Sequence, residues 1–213
     1  MIILAILCGV MEYNVIKEFG KRMFDVLTNR YRLDSFIFTV TLSCQSRCIM
    51  CNIWDMYRKD PSLKKEEPTL EEFDCFFKQL PKTITFATCT GGEPFLRENL
   101  LDIIKSLYNA LPNVVVHIQT NGFAKERIEN FVHGFFKIFP HRNLRIAFSI
   151  DGIGKTHEYI RGIPNAYEKV IGTFNRLIEL RKKYSNLDVI IGSVVFPFNI
   201  DDVMKLQDIA VKN

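Results

Sequence analysis

The chain lacks an excess of charge of either sign. Its 28 Lys and Arg residues are nearly balanced by 24 Asp and Glu residues, which leaves a net charge of +4 over 213 residues. This mild charge argues neither for nor against binding to nucleic acid, and we expect no nucleic-acid partner. A hydrophobic content of 47% is ordinary for a globular protein, and the length suffices for one domain with its own core.

The chain also lacks an apolar run long enough to cross a bilayer. The apolar stretch at residues 1–10 has no basic residue before it, so it is too short for a transmembrane helix and lacks the charged start of a signal peptide. The large Leu7 before Cys8 disfavours a lipoprotein cleavage site. We therefore expect an N-terminal helical segment over residues 1–33 and a cytoplasmic protein with no transmembrane span. Peripheral contact with a membrane is the alternative.

A disulfide framework is missing as well, although the chain has six cysteines. Three of them, Cys44, Cys48 and Cys51, fall within eight positions, whereas a disulfide framework uses an even number. Structural zinc usually takes four ligands from paired Cys-x-x-Cys units, and no second pair is visible. Three thiolates can hold a cubane iron–sulfur cluster by three of its irons and leave the fourth open. Zinc stays as the alternative, and Cys75 and Cys89 are expected to be buried thiols.

Strand and helix patterns alternate from residue 34 onward, which indicates a parallel sheet covered by helices. A capping box of Thr69 and Glu72 marks the start of the first clear helix. Five βα units are too few for a closed eight-stranded barrel, so we expect either an open sheet or, preferably, a piece of a longer protein. The predicted strands are Phe36–Leu42, Thr83–Ala87, Asn113–Ile118, Leu144–Ile150 and Leu187–Val195.

Polar or glycine-rich segments follow every predicted strand, at the edge of the sheet where parallel α/β folds bind their ligands. The segment that carries Cys44, Cys48 and Cys51, called the cysteine loop below, follows the first strand. The shared position of all these segments at one edge of the sheet is the strongest functional signal in the sequence. The segments after the other four strands contain Gly91, Gly92 and Glu93; Thr120 and Asn121; Ser149 and Asp151; and Asn199.

These motifs together resemble the radical S-adenosylmethionine (radical SAM) superfamily. The resemblance rests on the cysteine spacing x3 and x2 after the first strand, on Gly91-Gly92-Glu93 after the second, and on residues 149–152 after the fourth. It covers residues 34–213. It implies an α/β fold of the partial (β/α)6 TIM-like barrel type, of which about five βα units are present here and the C-terminal part is missing.

The resemblance implies two cofactors, a [4Fe–4S] cluster and S-adenosylmethionine. The amino and carboxylate groups of the methionine half would chelate the open iron. The reduced cluster would cleave the cofactor to a 5′-deoxyadenosyl radical, which takes hydrogen from a substrate. The implied partners are an electron donor of the flavodoxin or ferredoxin type and an unknown substrate, a small molecule or a peptide. The alternatives are an activase that installs a glycyl radical and a non-catalytic zinc or iron–sulfur module.

The resemblance also assigns roles by position, while the reaction-specific catalytic residues stay unknown. Gly91 and Gly92 would let the backbone approach the methionine amino group, with Glu93 in the same loop, although a plain turn would need the same glycines. Ser149 and Asp151 would reach the ribose hydroxyls.

Four further positions carry two interpretations each. Met50 stands where the family usually has an aromatic residue that packs on the adenine, and methionine is apolar enough to do the same. Arg161 would pair with the cofactor carboxylate or be a surface arginine in a loop. Asn121 would line the cavity or cap a helix, and Asn199 would touch the adenosine or cap the fifth helix.

Overall fold

The structure is a computed structural model that describes residues 33–212 and the side chains of residues 33–209. The predicted N-terminal segment, Leu33 excepted, and Cys8 lie outside the described residues. The strands are β1 (Ser35–Thr41), β2 (Phe86–Gly91), β3 (Val115–Thr120), β4 (Leu144–Ser149) and β5 (Leu187–Gly192). The α-helices are α1 (Ile53–Lys59), α2 (Leu70–Gln79), α3 (Leu100–Ala110), α4 (Lys125–Ile138), α5 (Lys155–Arg161), α6 (Ala166–Arg181) and α7 (Ile200–Lys212).

The five strands form one parallel sheet in the order in which they occur in the chain, β1 to β5. Because parallel crossovers are right-handed, a sheet wound in one direction carries its helices on one face. Alternate strand residues such as Val40, Cys89 and Ile146 pack with the helices in the core. The carboxyl ends of all five strands lie at one edge, as the sequence predicted.

The predicted capping box and the predicted burial of Cys89 are confirmed. Thr69 accepts a hydrogen bond from the backbone N–H of Glu72 at 3.2 Å, and the Glu72 carboxylate accepts one from the N–H of Thr69 at 2.8 Å, so the capping box is present. Cys89 is fully buried, as expected. None of the described helices is long and apolar enough to span a membrane.

Several details of the prediction were wrong, three of them near the site or in the placement of a cysteine. The second strand is Phe86–Gly91 rather than Thr83–Ala87, because residues 82 and 83 form a turn and the strand continues along β1 as far as Gly91. The segment that contains Arg161 is the end of helix α5 rather than a loop. Cys75 is exposed rather than buried, because it lies beside the apolar face of α2 that buries Phe73 and Phe77.

Candidate functional site

A pocket opens at the carboxyl edge of the sheet, where the loops after β1, β2, β3 and β4 meet. It brings together all three cysteines of the predicted cluster site and six of the nine predicted cofactor-binding residues. The pocket is lined by Cys44, Ser46, Cys48, Met50, Cys51, Ile53, Trp54, Thr90, Gly91, Gly92, Gln119, Thr120, Asn121, Ser149 and Arg161.

The cysteine loop is held by backbone hydrogen bonds to the end of helix α5. The N–H of Arg47 donates to the carbonyl of Arg161 at 2.9 Å, and the N–H of Ile49 donates to the carbonyl of Ile160 at 3.0 Å. A turn within the loop is closed by the N–H of Cys51, which donates to the carbonyl of Cys48 at 3.1 Å. The carbonyls at the end of a helix have no partner within the helix, so α5 offers acceptors that fix this loop.

The three thiols have different surroundings. Cys48 is buried, whereas Cys44 and Cys51 are half-buried. The side-chain amide of Asn121 lies 3.9 Å from the sulfur of Cys44, and burial is the main cause that raises the pKa of this thiol to about 11. Metal ligation needs thiolates, so a metal group bound by Cys44 would have to displace the proton of this thiol.

The three cysteines are not grouped as ligands of a single ion. Among residues 33–209, no set of three or more His, Cys, Asp or Glu side chains is placed to hold one metal ion.

The two glycines after β2 are required by close packing against the end of β1. A Cβ atom on Gly91 would lie 2.3 Å from the carbonyl oxygen of Thr41, and one on Gly92 would lie 2.2 Å from that of Ser43. Gly91 also has a φ of +135°, which disfavours any residue with a side chain. These glycines line the pocket, but protein packing alone already explains them, so their contact with a cofactor stays a prediction.

Glu93 lies under the pocket and does not line it. Its fully buried carboxylate accepts hydrogen bonds from the backbone N–H of Asn121 at 2.7 Å and from the hydroxyl of Thr120 at 2.8 Å. Burial raises the pKa of Glu93 to about 7, and these hydrogen bonds oppose the rise. In this structure Glu93 braces the turn after β2 against the end of β3.

Asp151 and Arg161 form a buried ion pair, with Asp151 Oδ2 and Arg161 Nη2 2.7 Å apart. The Asp151 side chain is fully buried and does not line the pocket, whereas Arg161 does. Burial is the main cause that raises the pKa of Asp151, and the charge of Arg161 opposes it. Contact between Asp151 and a ribose stays a prediction, and the observed partner of its carboxylate is Arg161.

Asn199 also lies outside the pocket, as a buried brace of the loop after β5. Its side-chain amide donates to the carbonyl of Asp151 at 2.6 Å and to that of Val194 at 2.9 Å. Its side-chain oxygen accepts from the N–H of Phe196 at 2.6 Å. These contacts hold residues 194–199 against the end of β4.

Apolar side chains also line the pocket, and sequence reasoning found only part of the polar lining. Met50, Ile53 and Trp54 line the same pocket as the cysteines, while contact between Met50 and an adenine stays a prediction. Thr90 and Gln119 were missed, and the hydroxyl of Thr90 donates to the side-chain oxygen of Gln119 at 3.1 Å. The alternation of strand residues could have identified both as facing away from the helix-covered core.

The sequence profile of the Radical SAM superfamily matches residues 38–210. The chain belongs to the radical SAM superfamily. The predicted membership and the predicted partial-barrel fold are thereby confirmed. The cofactors of this superfamily are S-adenosylmethionine and a [4Fe–4S] cluster, as the sequence predicted.

Two curated relatives and two solved structures of a third protein illustrate the similarity. The sporulation killing factor maturation protein SkfB of Bacillus subtilis (strain 168) is 24% identical over 177 residues, which are 80% of this chain and 39% of SkfB. A GTP 3′,8-cyclase of Clostridium perfringens (strain SM101 / Type A) is 26% identical over 189 residues, 85% of this chain and 53% of the cyclase. The chain thus spans about half or less of the length of these relatives.

SuiB of Streptococcus suis has been solved with S-adenosylmethionine and with its precursor peptide SuiA. Its structure with S-adenosylmethionine has a TM-score of 0.62 at 12% identity, with 99% of this chain and 44% of SuiB covered. Its structure with the peptide has a TM-score of 0.63 at 12% identity, with 94% and 42% covered. At this identity the similarity shows a shared fold.

The residues of the pocket fit the cofactors of the superfamily. Three thiols, which are soft ligands that suit iron–sulfur clusters, meet in one pocket. Arg161 and Trp54 line the pocket, and each has a buried N–H group, Arg161 Nε and Trp54 Nε1, without a hydrogen-bond partner among the described residues. Buried donors are normally paired, so both are available to acceptor groups of a ligand.

Proposed function

We propose that Cys44, Cys48 and Cys51 hold a [4Fe–4S] cluster and that the adjoining pocket binds S-adenosylmethionine. The observation that carries this proposal is the meeting of three cysteines with the Gly91-Gly92 turn and Arg161 in a single pocket. When bound, the two cofactors supply a one-electron cleavage of a carbon–sulfur bond that serves hydrogen abstraction from a substrate. The domain is then the radical-generating part of an enzyme.

The residues of the chain bind and orient the two cofactors, and they exclude water from the site. The three thiols, once deprotonated, are the ligands of the cluster. Arg161 has a buried N–H without a partner among the described residues, and it is the residue that we propose for the cofactor carboxylate because hydrogen bonds from arginine to carboxylates are strong. Ser149 and Asn121 supply neutral hydrogen-bonding groups to the same pocket.

The apolar residues that line the pocket have a different role from the polar ones. Met50, Ile53 and Trp54 place apolar surface beside the cysteines. We propose that Met50 packs on the adenine and that the three together keep water from the reacting atoms, which protects reactive species from side reactions.

The substrate and the electron donor are proposed only as classes. SuiB has been solved with a precursor peptide, and SkfB is named as a maturation protein, which supports a peptide substrate. The similarity to a GTP 3′,8-cyclase supports a small-molecule substrate instead. The donor is proposed to be of the flavodoxin or ferredoxin type.

Anaerobic reconstitution of cysteine variants tests the proposal. Wild-type protein is expected to hold about four irons per chain and to form 5′-deoxyadenosine from S-adenosylmethionine when it is reduced. Cys44→Ala, Cys48→Ala and Cys51→Ala should each lose the cluster and this product. Cys75→Ala is the matched control, because this exposed thiol lies in α2 and does not line the pocket.

Two outcomes would overturn the proposal. One is a Cys48→Ala protein that still takes up a full cluster and cleaves S-adenosylmethionine. The other is a wild-type protein that binds zinc tightly, takes up no iron–sulfur cluster under anaerobic conditions and cleaves no cofactor.

A further inference from the structure

Arg161 contacts a predicted cluster ligand as well as its carboxylate partner. Its Nη1 donates a hydrogen bond to the sulfur of Cys48 at 3.6 Å, and its Nη2 lies 2.7 Å from Oδ2 of Asp151. The residue is only 8% exposed. A buried guanidinium that is fixed on one side by a carboxylate therefore places a charged donor on one sulfur of the cysteine loop.

The carboxylate partner is itself held in place from three directions. Asp151 Oδ1 accepts a hydrogen bond from the N–H of Val194 at 2.8 Å. The N–H of Asp151 donates to His157 Nδ1 at 3.1 Å, and its carbonyl accepts from the side-chain amide of Asn199 at 2.6 Å. Because α5 and the loop after β5 both fix Asp151, the direction of the Arg161 side chain is determined by the fold.

Backbone hydrogen bonds join the segment that carries Arg161 to the segment that carries Cys48. The carbonyls of Ile160 and Arg161 accept hydrogen bonds from Ile49 and Arg47, which flank Cys48 in the cysteine loop. The contact between Arg161 and Cys48 is thus not a chance meeting of two long side chains, because the segments that carry them are joined by two hydrogen bonds.

We propose that Arg161 is a positioning residue that raises the reduction potential of the cluster through its hydrogen bond to Cys48, and that Asp151 orients it. This inference rests on the proposed function. Reduction adds one electron to the cluster, and a charged donor on a ligand sulfur stabilises the more negative, reduced form. Hydrogen bonds to cluster sulfurs are among the factors that determine the potentials of iron–sulfur clusters.

The test is a potentiometric titration of the reconstituted protein, followed by electron paramagnetic resonance and carried out without S-adenosylmethionine. Omitting the cofactor separates this role of Arg161 from its proposed contact with the cofactor carboxylate. The variants are Arg161→Gln, Arg161→Lys and Asp151→Asn. The control is Arg176→Gln, which removes an arginine from another ion pair, with Glu129, at the surface of helix α6.

The expected result is a more negative midpoint potential in Arg161→Gln, with iron content as in the wild type. Arg161→Lys should shift less because it keeps the charge, and Arg176→Gln should match the wild type. Asp151→Asn should also become more negative, because loss of the held donor outweighs the removed negative charge, which alone would raise the potential. If Arg161→Gln fails to retain iron, the midpoint potentials of Arg161→Lys and Asp151→Asn decide whether Arg161 raises the reduction potential of the cluster.

The inference is overturned if the Arg161 and Asp151 variants that retain iron have the wild-type potential. It is also overturned if Arg176→Gln shifts the potential as far as they do, because that shift would reflect net charge alone. A wild-type protein that takes up no cluster would contradict the proposed function itself, so the two failures are distinguishable.

Discussion

The carboxylate of Glu93 accepts a hydrogen bond from the backbone N–H of Asn121 at 2.7 Å, and this contact joins the turn after β2 to the end of β3. Like Asp151 and Asn199, Glu93 is a buried polar residue that lies outside the pocket and braces a segment at this edge of the sheet. The pocket surface therefore rests on polar contacts whose loss would move the residues that line it. Three of the predictions below concern such supporting contacts.

Replacing Glu93 should change how stability depends on pH. The pKa of Glu93 is raised by burial to about 7 from an ordinary 4.5, so the folded state binds this proton more tightly than the unfolded chain. The contribution of this tighter proton binding to the free energy of unfolding is fully present below about pH 4.5 and is lost as the pH rises through about 7. This contribution is on the order of 3 kcal/mol. Glu93→Gln cannot ionise and should lose less stability than the wild type between pH 5 and about 8.

Denaturant unfolding of both proteins across this pH range measures the effect. Glu98→Gln, at an exposed position nearby, should keep the pH dependence of the wild type. Parallel stability curves for Glu93→Gln and the wild type would show that Glu93 does not titrate as its burial implies.

Glu67 should be needed to hold both ends of the cysteine loop. Its carboxylate accepts hydrogen bonds from the N–H of Leu42 at 3.3 Å and from the hydroxyl of Tyr57, and it pairs with Arg97 at 2.8 Å. Leu42 precedes the three cysteines and Tyr57 follows them in α1. Glu67→Gln replaces one carboxylate oxygen with an NH2 group, which is a hydrogen-bond donor and would lie beside the donors that Glu67 now binds. It should reduce the free energy of unfolding by roughly 1–3 kcal/mol.

The same variant should release iron faster to a chelator after anaerobic reconstitution, because the loop that carries the ligands is less restrained. Glu66→Gln is the matched control, since Glu66 is the exposed neighbour. Equal stability and equal iron release in the two variants would remove Glu67 from this role.

Gly162 should tolerate no side chain, because the cysteine loop packs directly on it. Its φ is +65°, and a Cβ atom would lie 2.3 Å from the carbonyl oxygen of Arg47. Gly162→Ala should lose at least about 1–2 kcal/mol from the left-handed backbone alone and should retain less iron. Gly172→Ala in helix α6, where a Cβ atom has nothing within 4 Å, should be stabilised by up to about 1 kcal/mol. Equal thermal stability of the two variants would contradict this packing.

The sequence predicted the fold because the apolar runs of four strands are dense and the helices have clear apolar faces. It misplaced β2 because the threonines and the cysteine before Gly91 give this strand a weak apolar pattern. The strand is extended by pairing with β1 up to Thr41, which is a tertiary effect. Helix α5 was missed because seven residues are too few to show a helical period.

The sequence located the site but could not separate residues that line the pocket from residues that support it. Ser149 and Asp151 are two positions apart at the end of β4, yet the first lines the pocket and the second is buried against Arg161. Asp151 is buried because helix α5 places Arg161 against its carboxylate, and no local sequence pattern encodes this contact. Glu93 and Asn199 likewise lie outside the pocket, and their contact with the cofactor stays a prediction.

The most direct test of the central claim is the electron paramagnetic resonance spectrum of the reduced, reconstituted protein before and after S-adenosylmethionine is added. A cluster held by three cysteines has one iron free to change its ligands, so the account predicts about four irons per chain and a spectrum that changes when the cofactor binds. A protein with full iron content whose spectrum is identical with and without S-adenosylmethionine would contradict it.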